Sequence, residues 1–288
     1  MSVTTRIQEL NNRLATNLVS KGVSAEGTET TTELINKVND IESGGTSVIN
    51  PEWTDWRYFS YYDNRNDLVA KLKYSDTANG KKFSNMFNYC DALTSIPQFD
   101  TSNGTDFSYM FNYCSSLTSI PPLDTSNGTN FNRMFVSCNK LTSIPQLDTS
   151  NGTDFSGVFY HCSSLTSIPQ LDTSNGKNFG SMFNNCRALT SISLLNMSNV
   201  SGTNWSSMFY NCPALKNVTF EGTIPVRGNM SVFSSCPNLT VESLMSFINA
   251  LTNMSDTATY TITIGSTNLA KLTEEQIQIA TDKRITLQ

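Results

Sequence analysis

The chain has 288 residues, a formal net charge of −5, a sequence pI of 4.9 and only 15% charged residues. That balance argues against a nucleic-acid groove, which needs clustered Lys and Arg. No apolar run reaches membrane-spanning length, and Met1-Ser-Val-Thr-Thr-Arg6 has no apolar h-region, so neither a membrane anchor nor a secretory signal is expected.

Residues 1–45 read as helical. Thr5 with Gln8 forms a capping-box pattern, and Ile7, Leu10, Leu14 and Leu18 make a narrow apolar stripe that ends near Gly22. Thr30 with Glu33 opens a second helix carrying Leu34, Val38 and Ile41, and Ser43-Gly-Gly-Thr46 reads as a linker. So small a segment can hardly bury its own core. It is expected to attach to another protein or to form a homo-oligomer, with an intrachain helical hairpin as the alternative. Residues 46–82 are rich in aromatics (Trp53, Trp56, Tyr58, Phe59, Tyr61, Tyr62). They read as a cap over the first unit of a repeat array, or as an aromatic ligand platform.

Residues 83–240 carry seven repeats, marked by Cys90, Cys114, Cys138, Cys162, Cys186, Cys212 and Cys236. A fixed period in this range is the mark of stacked units. Phe107-Ser-Tyr-Met-Phe-Asn-Tyr-Cys114 is followed by Leu117-Thr-Ser-Ile120 and Asp124-Thr-Ser-Asn-Gly128, and the next units repeat these offsets. Leu-Thr-Ser-Ile reads as a short strand. Phe-x-x-Met-Phe-x-x-Cys has apolar residues at i, i+3, i+4 and i+7, the spacing of one helical face. Asp-Thr-Ser-Asn-Gly is turn chemistry, with Asp and Asn bonding nearby backbone and Gly tolerating positive φ. The expected fold is therefore an α/β solenoid, a leucine-rich-repeat coil with one short strand and one short helical segment per unit, about 30–35 Å long at the usual strand spacing. The odd cysteine count and the lack of any CxxC pair speak against zinc and disulfides; a column of buried reduced thiols is expected instead.

Residues 241–288 read as an α/β cap over the far end. A helix is expected at about 241–252, a strand at Thr259–Ile264, a helix starting at Thr273 with Gln276, and a last strand at Ile285–Leu287.

Little suggests catalysis. His161 is the only histidine; it adjoins Cys162 and lies where other units carry Tyr89, Tyr113, Ser137 and Asn185. A Cys–His nucleophile needs both groups exposed and oriented, so His161 reads as a variable surface residue. Asp100, Asp124, Asp148 and Asp172 stack as one column. Each accepts backbone N–H bonds in its own Asx-turn, or a cation sits among them; no calcium-loop pattern is present. No metal or cofactor is expected. Comparing the copies, variation gathers at Tyr109, Asn112, Tyr113, Arg133, Lys140, Tyr160, His161, Arg187 and Tyr210, residue types suited to recognition. The near-invariant Thr, Ser and Asn columns are the rival surface, a hydroxyl lattice able to meet glycans.

The Met-Phe-x-x-Cys-x-x-Leu-x-x-Ile core with its Asp-Thr-Ser-Asn turn, over about residues 83–240, resembles the repeat of BspA-type bacterial surface leucine-rich-repeat proteins. That resemblance implies ligand or surface binding rather than catalysis. The stretches from Leu10 through Ile41 and from Leu244 through Thr273 resemble segments of tail-associated proteins in phages and prophages of Gram-positive bacteria. Together they imply a non-enzymatic virion protein of the tail or fibre, joined to other virion proteins through its N-terminal helices and presenting the repeats to a host glycan or protein. A bacterial cell-surface adhesin is the alternative.

Overall fold

The computed structural model describes residues 77–201, 204–233, 235–253 and 258–288. Residues 80–288 belong to one compact unit, to which the following account is confined. The N-terminal stripe from Ile7 to Ile41 and the aromatic segment around Trp53–Tyr62 lie outside the described residues.

Each Phe-x-x-Met-Phe-x-x-Cys segment is a run of turns, not the helical segment expected from its spacing. In the first unit, Met86 N–H donates to Phe83 O (3.2 Å) and Cys90 N–H to Phe87 O (3.1 Å). The intervening N–H groups of Phe83, Asn85, Phe87 and Tyr89 leave the segment and donate to Asp106, Ser108, Met110 and Asn112 of the next unit, at 2.8–2.9 Å. A helix would close its N–H bonds four residues back within the segment. Here they alternate between a local turn and the neighbouring unit. Over only eight residues, two four-residue turns and two helical turns place the same apolar residues inward, so periodicity cannot separate them.

The Leu-Thr-Ser-Ile segments depart from expectation in a related way. Among these segments as described, regular strands appear at β1 (Ser191–Asn196) and β2 (Asn217–Glu221), which pair in parallel with an irregularity between Ile192 and Leu195. In the first four units the isoleucine is followed by Pro97, Pro121, Pro145 and Pro169, none of which has an N–H to give a ladder. Ser193 takes that place in β1. Elsewhere single parallel bridges step along Lys82, Asp106, Asn130, Asp154 and Asn178.

The interior is a set of columns. Phe83, Phe107, Phe131, Phe155 and Phe179 stack at 5.5–5.8 Å between centroids. Phe87, Phe111, Phe135, Phe159, Phe183, Phe209 and Phe233 stack at 5.2–5.7 Å. These rings are buried, and full burial of such a side chain contributes about 1.5–3 kcal/mol. All seven cysteines are free and buried. They are more than small hydrophobes: the Cys114, Cys138, Cys162 and Cys186 thiols donate to the Phe87, Phe111, Phe135 and Phe159 carbonyls of the preceding unit at 2.9–3.1 Å.

Beyond the repeats come β3 (Met230–Ser231), α1 (Val241–Ala250), β4 (Tyr260–Thr263), α2 (Ser266–Leu269), α3 (Glu274–Asp282) and β5 (Ile285–Leu287). Strands β3, β4 and β5 form a parallel sheet in that order. Helix α1 closes the edge of β2. Ser243 and Ser246, three residues apart on one helical face, accept the Val218 and Phe220 N–H groups through their hydroxyls at 2.9 and 2.8 Å. Donors that another unit would take are thereby satisfied, and the edge is no longer open to pairing. Lys283 Nζ donates to the Ile248, Asn249 and Leu251 carbonyls at the end of α1, at 2.6–3.0 Å. Thr273 and Gln276 make both bonds of a capping box at the start of α3.

Candidate binding ridge

The turn geometry creates a feature that no apolar pattern shows. A turn closed by an i→i+3 bond with positive φ at its third residue is of type II, a conformation that favours Gly or Asn there. In six successive units the two offsets concerned hold Asn85, Tyr109, Arg133, Gly157, Ser181 and Ser207 in one row, and Tyr89, Tyr113, Ser137, His161, Asn185 and Asn211 in the other. Their φ values run from 53° to 62°. Left-handed backbone costs a non-glycine residue about 1–2 kcal/mol. Yet Gly157 is the single glycine among these positions, while Tyr109, Tyr113, Arg133 and His161 stand where glycine would be unstrained. In the first five of these units each such residue donates its N–H to the next unit, which over-determines the conformation and holds the strain in place.

Several of the expected recognition residues come together on these rows. Tyr113 stacks on Tyr89 (centroids 4.9 Å, interplanar 8°), and both rings are large apolar groups left in solvent, 44% and 55% exposed. The Arg133 guanidinium lies over the Tyr109 ring, 5.7 Å from its centroid, in a cation–π arrangement. His161 leans on Tyr160 at 4.7 Å. A Cβ added to Gly157 would meet Arg133 Cγ at 3.0 Å, so the aliphatic stem of Arg133 lies against Gly157 of the next unit. Lys140 and Arg187 are exposed just past the cysteines, and Tyr210 is exposed on the sixth unit.

Asn112 does not belong to this surface. It is buried, and its side-chain amide donates to Asn88 Oδ1 of the preceding unit at 2.7 Å; Tyr210 at the same offset is exposed, so the short amide chain and its partner, not the offset, keep Asn112 inside. Tyr89, absent from the expected set, joins it; its shared offset with Tyr113 and His161 was the available signal. His161 and Cys162 form no nucleophilic pair. The Cys162 thiol donates to Phe135 O at 2.9 Å, and burial pushes its pKa up to about 12.

The rival hydroxyl lattice is occupied by structural bonds. Thr101, Thr125, Thr149 and Thr173 are buried and donate to the Asp124, Asp148, Asp172 and Asn196 carbonyls of the next unit at 2.7–3.1 Å. Asn127, Asn151, Asn175 and Asn199 donate back to Ser102, Ser126, Ser150 and Ser174 at 2.7–2.8 Å. The aspartate column resolves into Asx-turns: Asp100, Asp124, Asp148 and Asp172 accept from the N–H two residues on, at 2.8–3.1 Å. Bonds from Ser102 backbone and side chain lower the Asp100 pKa, and those from Ser150 side chain and backbone lower that of Asp148. A shallow groove of about 670 Å³ on this face is lined by Gln146, Asp148, Gln170, Asp172, Leu194 and Glu221 among others. Its glutamines and aspartates already serve neighbouring backbone. Near-identity of the turn columns thus follows from folding, whereas the ridge residues vary because the backbone bonds do not depend on them.

The fold and ridge define a repeat protein in which each unit is bonded to the next and two rows of left-handed residues carry side chains that differ between units. A family model described as "Mycoplasma protein of unknown function, DUF285" matches residues 57–167 and again 119–222. These matches together span residues 57–222 of the 288, and the chain belongs to this family, which is consistent with a BspA-type repeat. No curated protein and no solved structure matches the chain. Among the described residues no helix is long and apolar enough to cross a membrane.

Proposed function

We propose that the protein is a non-enzymatic structural component of a phage virion, in the tail or a fibre, whose repeats form a leucine-rich-repeat-like solenoid presenting a binding ridge. The ridge meets a host receptor or a neighbouring virion protein, and the N-terminal segment provides attachment or oligomerisation. One observation carries the binding reading: Tyr, Arg and His side chains that vary between copies stand on the rows of left-handed residues, while the invariant Thr and Asn of the turn columns are held by inter-unit bonds. Holding Tyr, Arg and His at left-handed positions is costly, and recognition is a reason to keep them. The virion assignment rests on the resemblance of both chain ends to tail-associated segments. Mass spectrometry of purified particles should detect the chain at a stoichiometry comparable to other tail proteins; its absence from particles would overturn the assignment.

The second reading, a bacterial cell-surface adhesin or interaction module, is favoured by the family match, whose description refers to proteins of a bacterium. It places the chain in cell-wall fractions of uninfected cells, so the same spectra taken on both fractions separate the two.

A further inference from the structure

The ridge carries the opposite charge from the protein as a whole. From phenylalanine to leucine in the second to fifth units (residues 107–117, 131–141, 155–165 and 179–189) there is no Asp or Glu, while Arg133, Lys140 and Arg187 stand there. In the first unit Asp91 stands at the Arg187 offset; Asp106 and Asp154 border two of the segments, where they accept the Ser108 and Ser156 N–H groups, and Asp100, Asp124, Asp148 and Asp172 lie on the turn face. A chain of net charge −5 therefore presents one cationic strip, and a partner attracted to that strip must be anionic.

The aromatic row then breaks at a defined place. Tyr89 and Tyr113 stack one unit apart at 4.9 Å, but the next position is Ser137, and the row resumes with His161. Tyr113 and His161 thus stand two units apart, about 10 Å at the spacing of the tyrosine pair, with the small Ser137 as floor. That interval admits one ring-thick group stacked on the outer face of Tyr113. Arg133 begins the turn that ends beside Ser137, and its planar fork suits a carboxylate or phosphate. We propose that the gap bounded by Tyr113, Ser137 and His161, with Arg133 beside it, is a subsite for one sugar ring of an anionic polysaccharide. This rests on reading the ridge as the protein's binding surface. A single-stranded nucleic acid also combines rings with charge, but it needs a continuous basic track, and three fixed cations over four units do not supply one.

The test is binding of the full chain, at low salt, to polygalacturonate as a carboxylate polysaccharide, phosphomannan as a phosphate polysaccharide, neutral dextran and oligothymidylate. The expected result is binding to one or both anionic polymers, with their ratio identifying the anion, and none to dextran. Tyr113→Gly, Arg133→Gln and the gap-filling Ser137→Tyr should each weaken it roughly tenfold or more, while Lys177→Gln, off the ridge, leaves it unchanged. Melting curves of each variant separate lost binding from lost folding. No binding to either anionic polymer, equal binding to dextran, tighter binding to oligothymidylate, or indifference to all three ridge changes would each overturn the proposal. None of these outcomes bears on whether the chain is found in particles, so the functional reading is judged separately.

Discussion

Gly128→Ala tests how tightly the phenylalanine column lies against the backbone. Gly128 closes a turn in which its N–H donates to Thr125 O at 2.8 Å, and its φ is not in the left-handed region. The expectation that the turn glycine serves a positive φ is therefore replaced by a steric reason. An added Cβ would stand 2.5 Å from Phe131 Cζ, 2.9 Å from Thr125 O and 3.1 Å from Phe107 Cε2. Reaching an ordinary carbon contact of ~3.5 Å means moving the Phe131 ring by about 1 Å. The ring is buried and stacked between Phe107 and Phe155, at 5.8 and 5.7 Å, so it cannot move alone. Overpacking of this kind costs about 1–3 kcal/mol, and the clash with backbone oxygen argues for the upper part of that range. Reduced freedom of the unfolded chain returns about 0.4–1 kcal/mol. The net loss is about 2 kcal/mol, or about 4–8 °C in Tm for a body of this size. Thermal unfolding followed by circular dichroism measures it, with Gly228→Ala as control, since a Cβ there meets nothing within 4 Å. A Gly128→Ala protein melting at or above the parent would refute the column as described.

Other consequences can be checked with the same material. Ser243→Ala removes the acceptor of the buried Val218 N–H and should cost about 1–3 kcal/mol in urea unfolding, whereas an unchanged midpoint would mean that α1 does not close the β2 edge. The seven thiols should resist a disulfide reagent at neutral pH and react together on denaturation; rapid modification of the native protein would count against the column. Because burial raises the Cys162 pKa from 9.0 to about 12, the folded state holds that proton longer than the unfolded chain. Its contribution is full below pH 9 and is lost as pH rises towards 12, so stability should fall across that window and not with mild acidification. Tyr113→Gly exchanges left-handed strain of about 1–2 kcal/mol for lost ring stacking of about 0.5–1.5 kcal/mol and added chain freedom of about 0.5–1 kcal/mol. Its Tm should stay within a few degrees of the parent, and a collapse would make Tyr113 a structural residue.

Much of this was legible in the chain itself, for a physical reason: a column that must be buried in every unit leaves the same residue at the same offset. The phenylalanine, methionine, cysteine, leucine and isoleucine columns could be read in that way, as could the Asx role open to Asp100 and its equivalents. The capping box at Thr273 was equally local. The expected helix in Phe-x-x-Met-Phe-x-x-Cys was not realised, because the alternation of its N–H bonds is decided by carbonyls 23 residues away. The strand content turned on the proline after the isoleucine in each early unit, whose missing N–H outweighs the β-branched residues around it. Of the candidate recognition residues, Asn112 is buried because its amide finds Asn88 Oδ1 in the preceding unit, a pairing 24 residues away that its own segment does not record.

The sequence by itself determined the register of the stack, which residues face inward, and which positions are free to differ, since these follow from repetition and burial alone. The tertiary structure decided the backbone state that joins those positions. Left-handed residues arise where each unit is held by the next, through bonds between carbonyls and N–H groups that every residue type possesses and no residue letter records. That lattice lines Tyr89, Tyr113, Ser137 and His161 into one row with a gap, and sets Arg133 over Tyr109 beside it.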